Sequence, residues 1–121
     1  MTRRNKDIGD WGESIAASYI EKQGFTVLER NFRTPYGELD IIAQNGEVLV
    51  IVEVKTRTST KFGHPESAIT EAKMAHMQSA VEFYLTTLPC MPGEIRLDVI
   101  SISAKPGTIE YDVEWFENVT G

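Results

Sequence analysis

The chain lacks the features that mark secreted and membrane proteins. It has a single cysteine, Cys90, which cannot form an internal disulfide and is typical of a reducing compartment. Its longest near-continuous apolar run, residues 48–52, is far too short to cross a bilayer. The basic N-terminus is not followed by the apolar stretch of a signal peptide. These absences predict a cytoplasmic protein without membrane association.

An excess of basic charge is also missing. The net charge is −6, which is unusual for a protein that binds nucleic acid. Four of the 18 acidic residues lie close to the C-terminus, and four others are assigned below to a metal site. The remaining ten are outnumbered by the 12 lysines and arginines. The charge balance therefore permits a nucleic-acid partner but does not argue for one.

The composition is that of one globular domain. A length of 121 residues is enough to bury a core without disulfides, and the hydrophobic share of 41% is typical of such domains. No repeat or linker-like segment divides the chain. We therefore expect a single domain over 1–121, with a basic tail at 1–6 and an acidic edge strand and C-terminus at 108–121.

Hydrophobic periodicity predicts seven elements in the order αβββαββ. Helices are expected over 7–23 and 66–87, and Gly24 is placed to end the first helix in a left-handed turn. Strands are expected over 25–33, 39–44, 47–56, 94–103 and 109–115, the last of them a charged edge strand. This order predicts an α/β fold in which a mixed central sheet is flanked by helices.

Asn45-Gly46, between the second and third strands, is a strong signal for a tight hairpin. A loop of these two residues places Gln44 opposite Glu47 and, further along, Glu38 opposite Glu53. Because side chains alternate between faces, the hairpin has one apolar and one partly charged face. The apolar face contains Leu39, Ile41, Ala43, Val48, Val50, Val52 and Val54. The other face contains Glu38, Asp40, Ile42, Leu49, Ile51, Glu53 and Lys55.

The carboxylates at the open end of this hairpin need a positive partner, because like charges side by side repel. Lys55 offsets part of the charge of Asp40 and Glu53. A divalent cation such as Mg²⁺, which usually takes one or two protein carboxylates, would offset the rest. A metal beside a lysine suits phosphodiester hydrolysis, in which the lysine orients water or stabilises charge on phosphate. The alternative is a solvated sheet face on which Lys55 merely pairs with Glu53.

Several segments form a more specific combination than any one of them. They are Gly12-Glu13, Asn31-Phe32-Arg33, Gly37-Glu38-Leu39-Asp40-Ile41-Ile42-Ala43, Leu49-Val50-Ile51-Val52-Glu53-Val54-Lys55-Thr56-Arg57 and Phe62-Gly63-His64-Pro65. Together, over roughly residues 9–102, they resemble the YraN-like family of small bacterial proteins. That family is placed in the PD-(D/E)xK nuclease superfamily and is similar to the archaeal Holliday-junction resolvases.

The resemblance implies a restriction-endonuclease-like αβββαβ core and an endonuclease that uses Mg²⁺ or Mn²⁺ on DNA, including branched or damaged DNA. It assigns catalysis to Asp40, Glu53, Lys55 and Glu13, and it adds the backbone carbonyl of Val54 as a metal ligand. It is also compatible with a homodimer. Leu39 stands where the superfamily's name has a proline.

Acidic residues near this motif have two interpretations each. Glu13 shares a helix side with the apolar residues Ala16, Ala17 and Ile20, so we expect it to be partly buried and to need a cation. The alternative is an N-terminal acid favoured by the helix dipole. Glu38 either binds a second metal ion or contacts the metal ligands without binding the ion itself.

The remaining candidates are basic residues outside the motif. Arg57, Lys61 and Lys73 either contact the phosphates of a substrate or are solvated charges. His64 and His76 lack the spacing of zinc ligands. The competing function is a nucleic-acid-binding or protein adaptor module that keeps this fold without performing chemistry.

Overall fold

The computed structural model describes residues 3–57, 71–105 and 108–119. These residues form two helices and five strands. The elements are α1 (Arg3–Lys22), β1 (Thr26–Thr34), β2 (Gly37–Asn45), β3 (Val48–Arg57), α2 (Glu71–Leu85), β4 (Glu94–Ala104) and β5 (Tyr111–Phe116). The predicted order and the α/β class are confirmed. Neither helix is both long and apolar enough to cross a membrane.

Helix α1 begins at Arg3, four residues before the predicted start, because Arg3, Arg4 and Lys6 are good helix formers and no proline interrupts them. Residues 3–6 therefore belong to a helix and not to a tail. The predicted end at Gly24 is confirmed. Gly24 has φ 96°, and the N–H of Phe25 donates to the carbonyl of Ile20 at 3.2 Å, as in a Schellman motif.

The five strands lie in the sheet in their order along the chain. Neighbouring strands are antiparallel except β3 and β4, which are parallel and are connected through α2. The beginning of β2 and the ends of β3 and β4 therefore share one end of the sheet. Strand β5 occupies an edge, as its charge pattern predicted.

The sheet separates two apolar cores. The core under α1 contains the buried residues Ala16, Ala17, Ile20, Ile41, Ala43, Val50, Val52, Ile100 and Ile102. The core under α2 contains Leu39, Ile42, Leu49, Ile51, Met77, Ala80, Val81, Tyr84 and Leu97. Strands β2 and β3 contribute to both cores, so the central hairpin is covered on each face.

The turn between β2 and β3 lies one position later than predicted. Asn45 pairs with Val48, so the loop consists of Gly46 and Glu47. Gly46 has φ 60°, and glycine is preferred at the first central position of a type II′ hairpin turn because that position needs a positive φ. The predicted pairing of Gln44 with Glu47 is therefore wrong.

The new register keeps the alternation of faces but changes the residues that are opposed. Ile41 pairs with Val52, so the predicted opposition of Glu38 and Glu53 is also wrong. The predicted face of Leu39 is also wrong, because Leu39 lies in the core under α2, whereas Ile41 lies in the core under α1. The side chains on either side of Asp40 thus reach opposite faces, and Asn31, which the β1–β2 register places opposite Asp40, has φ 53°.

A buried carboxylate connects β4 to the residues after it. Asp98 is completely buried and accepts hydrogen bonds from Arg96 at 2.8 and 3.2 Å, from the Trp115 indole N–H at 2.7 Å and from the Asn118 backbone N–H at 2.8 Å. The Arg96 guanidinium also lies 6.0 Å from the ring centroid of Phe25. Asp98 is therefore fully satisfied, and its role in the described structure is to hold β5 in place.

Candidate functional site

Asp40 and Glu53 lie where the pairing of β2 and β3 ends. The last paired residues are Ile41 and Val52, and the next pair in that register is Asp40 with Glu53. Beyond this point the N–H of Val54 donates to Asp40 Oδ2 at 2.9 Å. The Asp40 carboxylate thus holds the two strands together at the open end of the hairpin.

The environment of Asp40 opposes its ionisation. Burial, and then the charge of Glu53, raise the pKa of Asp40 to about 7, although the hydrogen bond from Val54 acts in the opposite direction. The charge of Glu13 and a hydrogen bond with the Glu53 carboxylate also favour the protonated form. A cation close to the pair would therefore stabilise the ionised form of Asp40.

Two lysines contact the Glu53 carboxylate. Lys55 Nζ lies 3.3 Å from Glu53 Oε1, and Lys73 Nζ, from α2, lies 2.8 Å from the same oxygen. The Glu53 side chain is only 12% exposed, so this is a partly buried cluster and not a pair of surface ion pairs. The motif residue Lys55 and the helix residue Lys73 therefore converge on one acid.

The two lysines differ in proton affinity. Burial and the nearby Lys73 lower the pKa of Lys55, and the charge of Glu53 only partly compensates. Burial also acts to lower the pKa of Lys73, but its hydrogen bonds with Glu53 and Lys55 outweigh that effect and raise it. Lys73 is therefore the more firmly charged of the two.

Glu13 reaches the same end of the sheet from α1. Its Oε1 is buried and has no hydrogen-bond partner within the described part of the chain. Burial raises the pKa of Glu13, and Arg30 and a hydrogen bond with Asn31 partly oppose this. The predicted partial burial is confirmed. A cavity of about 230 Å³ lies beside Glu13 and is also lined by Val54 and Thr56.

The position of Glu13 depends on the close approach of α1 to β3. A Cβ atom on Gly12 would lie 1.8 Å from Thr56 Oγ1 and 2.9 Å from Thr56 Cβ. No side chain larger than hydrogen fits between these two elements as they stand. Gly12 thus allows the next residue, Glu13, to approach the strand that carries Glu53 and Lys55.

The other predicted site residues are less closely associated with the pair. Glu38 is exposed and forms an ion pair with Arg33 at 3.6 Å, although it lines a cavity next to Asp40. Arg57 is the last residue of β3 and not part of a loop. Lys61 lies outside the described residues.

The donor set fits a metal ion held by few protein ligands. Among residues 3–57, 71–105 and 108–119, no three His, Cys, Asp or Glu side chains lie close enough to enclose an ion. Mg²⁺ does not need such a cage, since it usually binds one or two carboxylates and keeps several waters. Asp40 and Glu53 provide that pair, and the unpartnered oxygen of Glu13 supplies a further unused acceptor.

On the α2 side, a cavity of about 200 Å³ brings together residues from several elements. It is lined by Asp40, Glu53 and Lys73, and also by Tyr36 and His76, which the sequence did not single out for the site. Lys73 had a readable signal. It lies four residues before the buried Met77, so it is on the face of α2 that packs against the sheet, where a charged residue is unusual.

Comparison with known proteins gives a consistent family relationship. The model of the family described as "Uncharacterised protein family UPF0102" matches residues 12–102. A UPF0102 protein of Syntrophomonas wolfei is 47% identical over 103 residues, which cover 85% of this chain and 90% of the relative. A UPF0102 protein of Syntrophotalea carbinolica is 40% identical over 116 residues, covering 96% and 93%. A third relative, from Clostridium perfringens, is 36% identical over 118 residues, covering 98% and 97%.

Proposed function

The chain belongs to the protein family UPF0102, the YraN-like family, and from that membership together with its site we propose that it is a metal-dependent endonuclease of the PD-(D/E)xK type, acting on DNA. The observation that carries the proposal is the opposition of Asp40 and Glu53 at the open end of the hairpin. Burial and this opposition raise the pKa of Asp40 to about 7, so the pair favours a cation. A fold alone does not imply an activity, whereas these side chains have the chemistry that the activity needs.

In this proposal Asp40, Glu53 and the carbonyl of Val54 would hold Mg²⁺ or Mn²⁺, and Glu13 would support them from α1. When bound, such an ion polarises a phosphate oxygen and lowers the pKa of water. Lys55, whose pKa is lowered by burial, can accept a proton from the attacking water. Lys73, whose pKa is raised, keeps its charge and can stabilise the negative charge that grows on the phosphate.

The test is cleavage of a panel of branched, single-stranded and duplex DNAs with Mg²⁺ or Mn²⁺. We expect at least one DNA to be cut by the wild type and the rate to fall by about 100-fold or more in Asp40→Asn, Glu53→Gln and Lys55→Met. Asp112→Asn, on the exposed edge strand β5, is the matched control and should cut normally. Normal cleavage by the Asp40 and Glu53 variants would disprove the proposed site.

A second candidate is an adaptor module without chemistry, and one observation favours it. Glu53 already has two lysine partners, and Asp40 already accepts a hydrogen bond from Val54, so the cluster is largely satisfied internally. Calorimetric titration with Mn²⁺ separates the two functions. The nuclease predicts saturable binding that Glu53→Gln abolishes, whereas an adaptor has no reason to bind the ion.

A further inference from the structure

Tyr36 is an exposed aromatic residue in a hydrogen-bonded turn. It lies between β1 and β2, and 53% of it is accessible to solvent. The N–H of Tyr36 donates to Thr34 Oγ1 at 3.0 Å, and that hydroxyl donates to the carbonyl of Gly37 at 2.7 Å. Gly37 adopts φ 136°, which L side chains rarely adopt. The turn therefore fixes the backbone under an aromatic ring that is left uncovered.

The ring borders the site and not an unrelated surface. Tyr36 lines the same cavity of about 200 Å³ as Asp40, Glu53 and Lys73. Drug-sized ligands occupy cavities of roughly 300–1,000 Å³. The space beside Tyr36 is therefore suited to a single flat ring attached to something that continues out of the cavity.

A positive group inside the cavity suits a phosphate. Lys73 lines the cavity, whereas Arg33, just before the turn, is paired with Glu38 at 3.6 Å. A nucleotide with its phosphate near Lys73 and its base against Tyr36 would contact both residues. Aromatic side chains bind bases by stacking when those bases are unpaired, because bases inside a duplex are already stacked.

We propose that Tyr36 is the stacking platform for an unpaired nucleobase next to the phosphate that is cut. This inference rests on the proposed nuclease function and adds a substrate class to it: DNA with single-stranded nucleotides, such as a flap, gap or frayed branch point. The recognition is independent of sequence, since every base has a face that can stack.

The probe is a short single-stranded oligonucleotide that contains 2-aminopurine, whose fluorescence falls when it stacks, and the control ligand is a blunt duplex of the same sequence. We expect the wild type to bind and quench the single strand. Tyr36→Ala should weaken that binding by about tenfold and abolish the quenching, because stacking contributes of that order per base. Tyr36→Phe and Tyr36→Trp should restore both.

Phe83→Ala is the matched control, because Phe83 is an exposed aromatic residue on α2. This variant should bind the single strand as the wild type does. The inference is overturned if the wild type does not quench the probe or if Tyr36→Ala binds the probe normally. It is also overturned if Tyr36→Ala weakens binding of the duplex as much as binding of the single strand. Cleavage assays run in parallel distinguish this failure from that of the proposed function. If the wild type cleaves DNA and Tyr36→Ala binds the probe normally, only the stacking site is overturned. If binding depends on Tyr36 but the wild type cleaves no DNA, only the nuclease function is overturned.

Discussion

Lys73 approaches Glu53 more closely than Lys55 does, with Nζ–Oε1 distances of 2.8 Å and 3.3 Å, although Lys55 is only two residues away along the strand. The motif lysine therefore shares its acid with a residue of α2. This contact joins the helix to the end of the sheet, so replacement of Lys73 should affect both the charge of the site and the attachment of α2.

Lys73→Met should lower the free energy of unfolding by about 1 kcal/mol at pH 8, measured by chemical denaturation. Glu53 is mostly buried and loses its closest cation, which costs more than an exposed ion pair does. Lys105→Met is the matched control, because Lys105 and Glu110 form an exposed pair at 3.8 Å and the change should cost less than about 0.5 kcal/mol. Equal losses in the two variants would contradict a buried role for Lys73.

Asp40→Asn should stabilise the protein at alkaline pH. The pKa of Asp40 is raised from 3.8 to about 7, mainly by burial and then by the charge of Glu53, so ionised Asp40 is less favourable in the folded chain than in the unfolded chain. The stability present below pH 4 is therefore lost as the pH rises through 7. Asparagine keeps an acceptor for the N–H of Val54 without the charge.

The expected gain for this variant is roughly 2–4 kcal/mol at pH 8 without added metal, and it should vanish near pH 4. Urea denaturation across this pH range measures both values. Asp112→Asn, in the exposed part of β5, should show a small difference without this dependence on pH. A gain that grows toward low pH would show that Asp40 is stabilised as a carboxylate, against the expectation from its burial.

Gly12→Ala should destabilise the protein by about 1–3 kcal/mol, because the new methyl group would overlap Thr56 and force α1 away from β3. Gly9→Ala, one turn earlier in the same helix, meets no atom within 4 Å and should be neutral or stabilising by up to about 1 kcal/mol. Thermal and urea denaturation of the two variants provide the comparison. The close approach would be disproved if Gly12→Ala were as stable as Gly9→Ala.

Asp98→Ala should cost about 3–5 kcal/mol, because the Arg96 guanidinium, the Trp115 indole and the Asn118 N–H all lose a buried acceptor. Removing the outer partner of the same arginine, in Glu117→Ala, should cost less than about 0.5 kcal/mol, since that contact is 3.9 Å long and exposed. Denaturation midpoints compared at constant slope measure both changes. A mild effect of Asp98→Ala would mean that water replaces the lost acceptor.

Much of the fold was readable from local patterns. The order of elements, the end of α1 at Gly24 and the edge position of β5 follow from periodicity, glycine and charge, which act within a few residues. The register of the hairpin did not follow. Asn45-Gly46 signals a turn, but loops at 45–46 and at 46–47 keep the same side chains on each face, so alternation does not choose between them.

The candidate site was predictable to the extent that it lies on the hairpin. Asp40, Glu53 and Lys55 share one end of two adjacent strands, and alternation alone brings them near each other. The contact of Lys73 with Glu53 depends on how α2 packs over the sheet, which no local rule determines. The face of Leu39 departs from the alternation along β2, and the sequence around Leu39 contains no sign of that departure.

The bonds to Asp98 bear on where this protein can be shortened. The family match ends at residue 102, yet two of the donors to this carboxylate, Trp115 and Asn118, come from beyond that limit. Trimming the polypeptide to the matched span would remove these two donors from a fully buried carboxylate and leave it paired with Arg96. The stretch through Val119, whose N–H donates to the carbonyl of Leu97 at 2.8 Å, is thus part of the smallest piece that can be expected to fold.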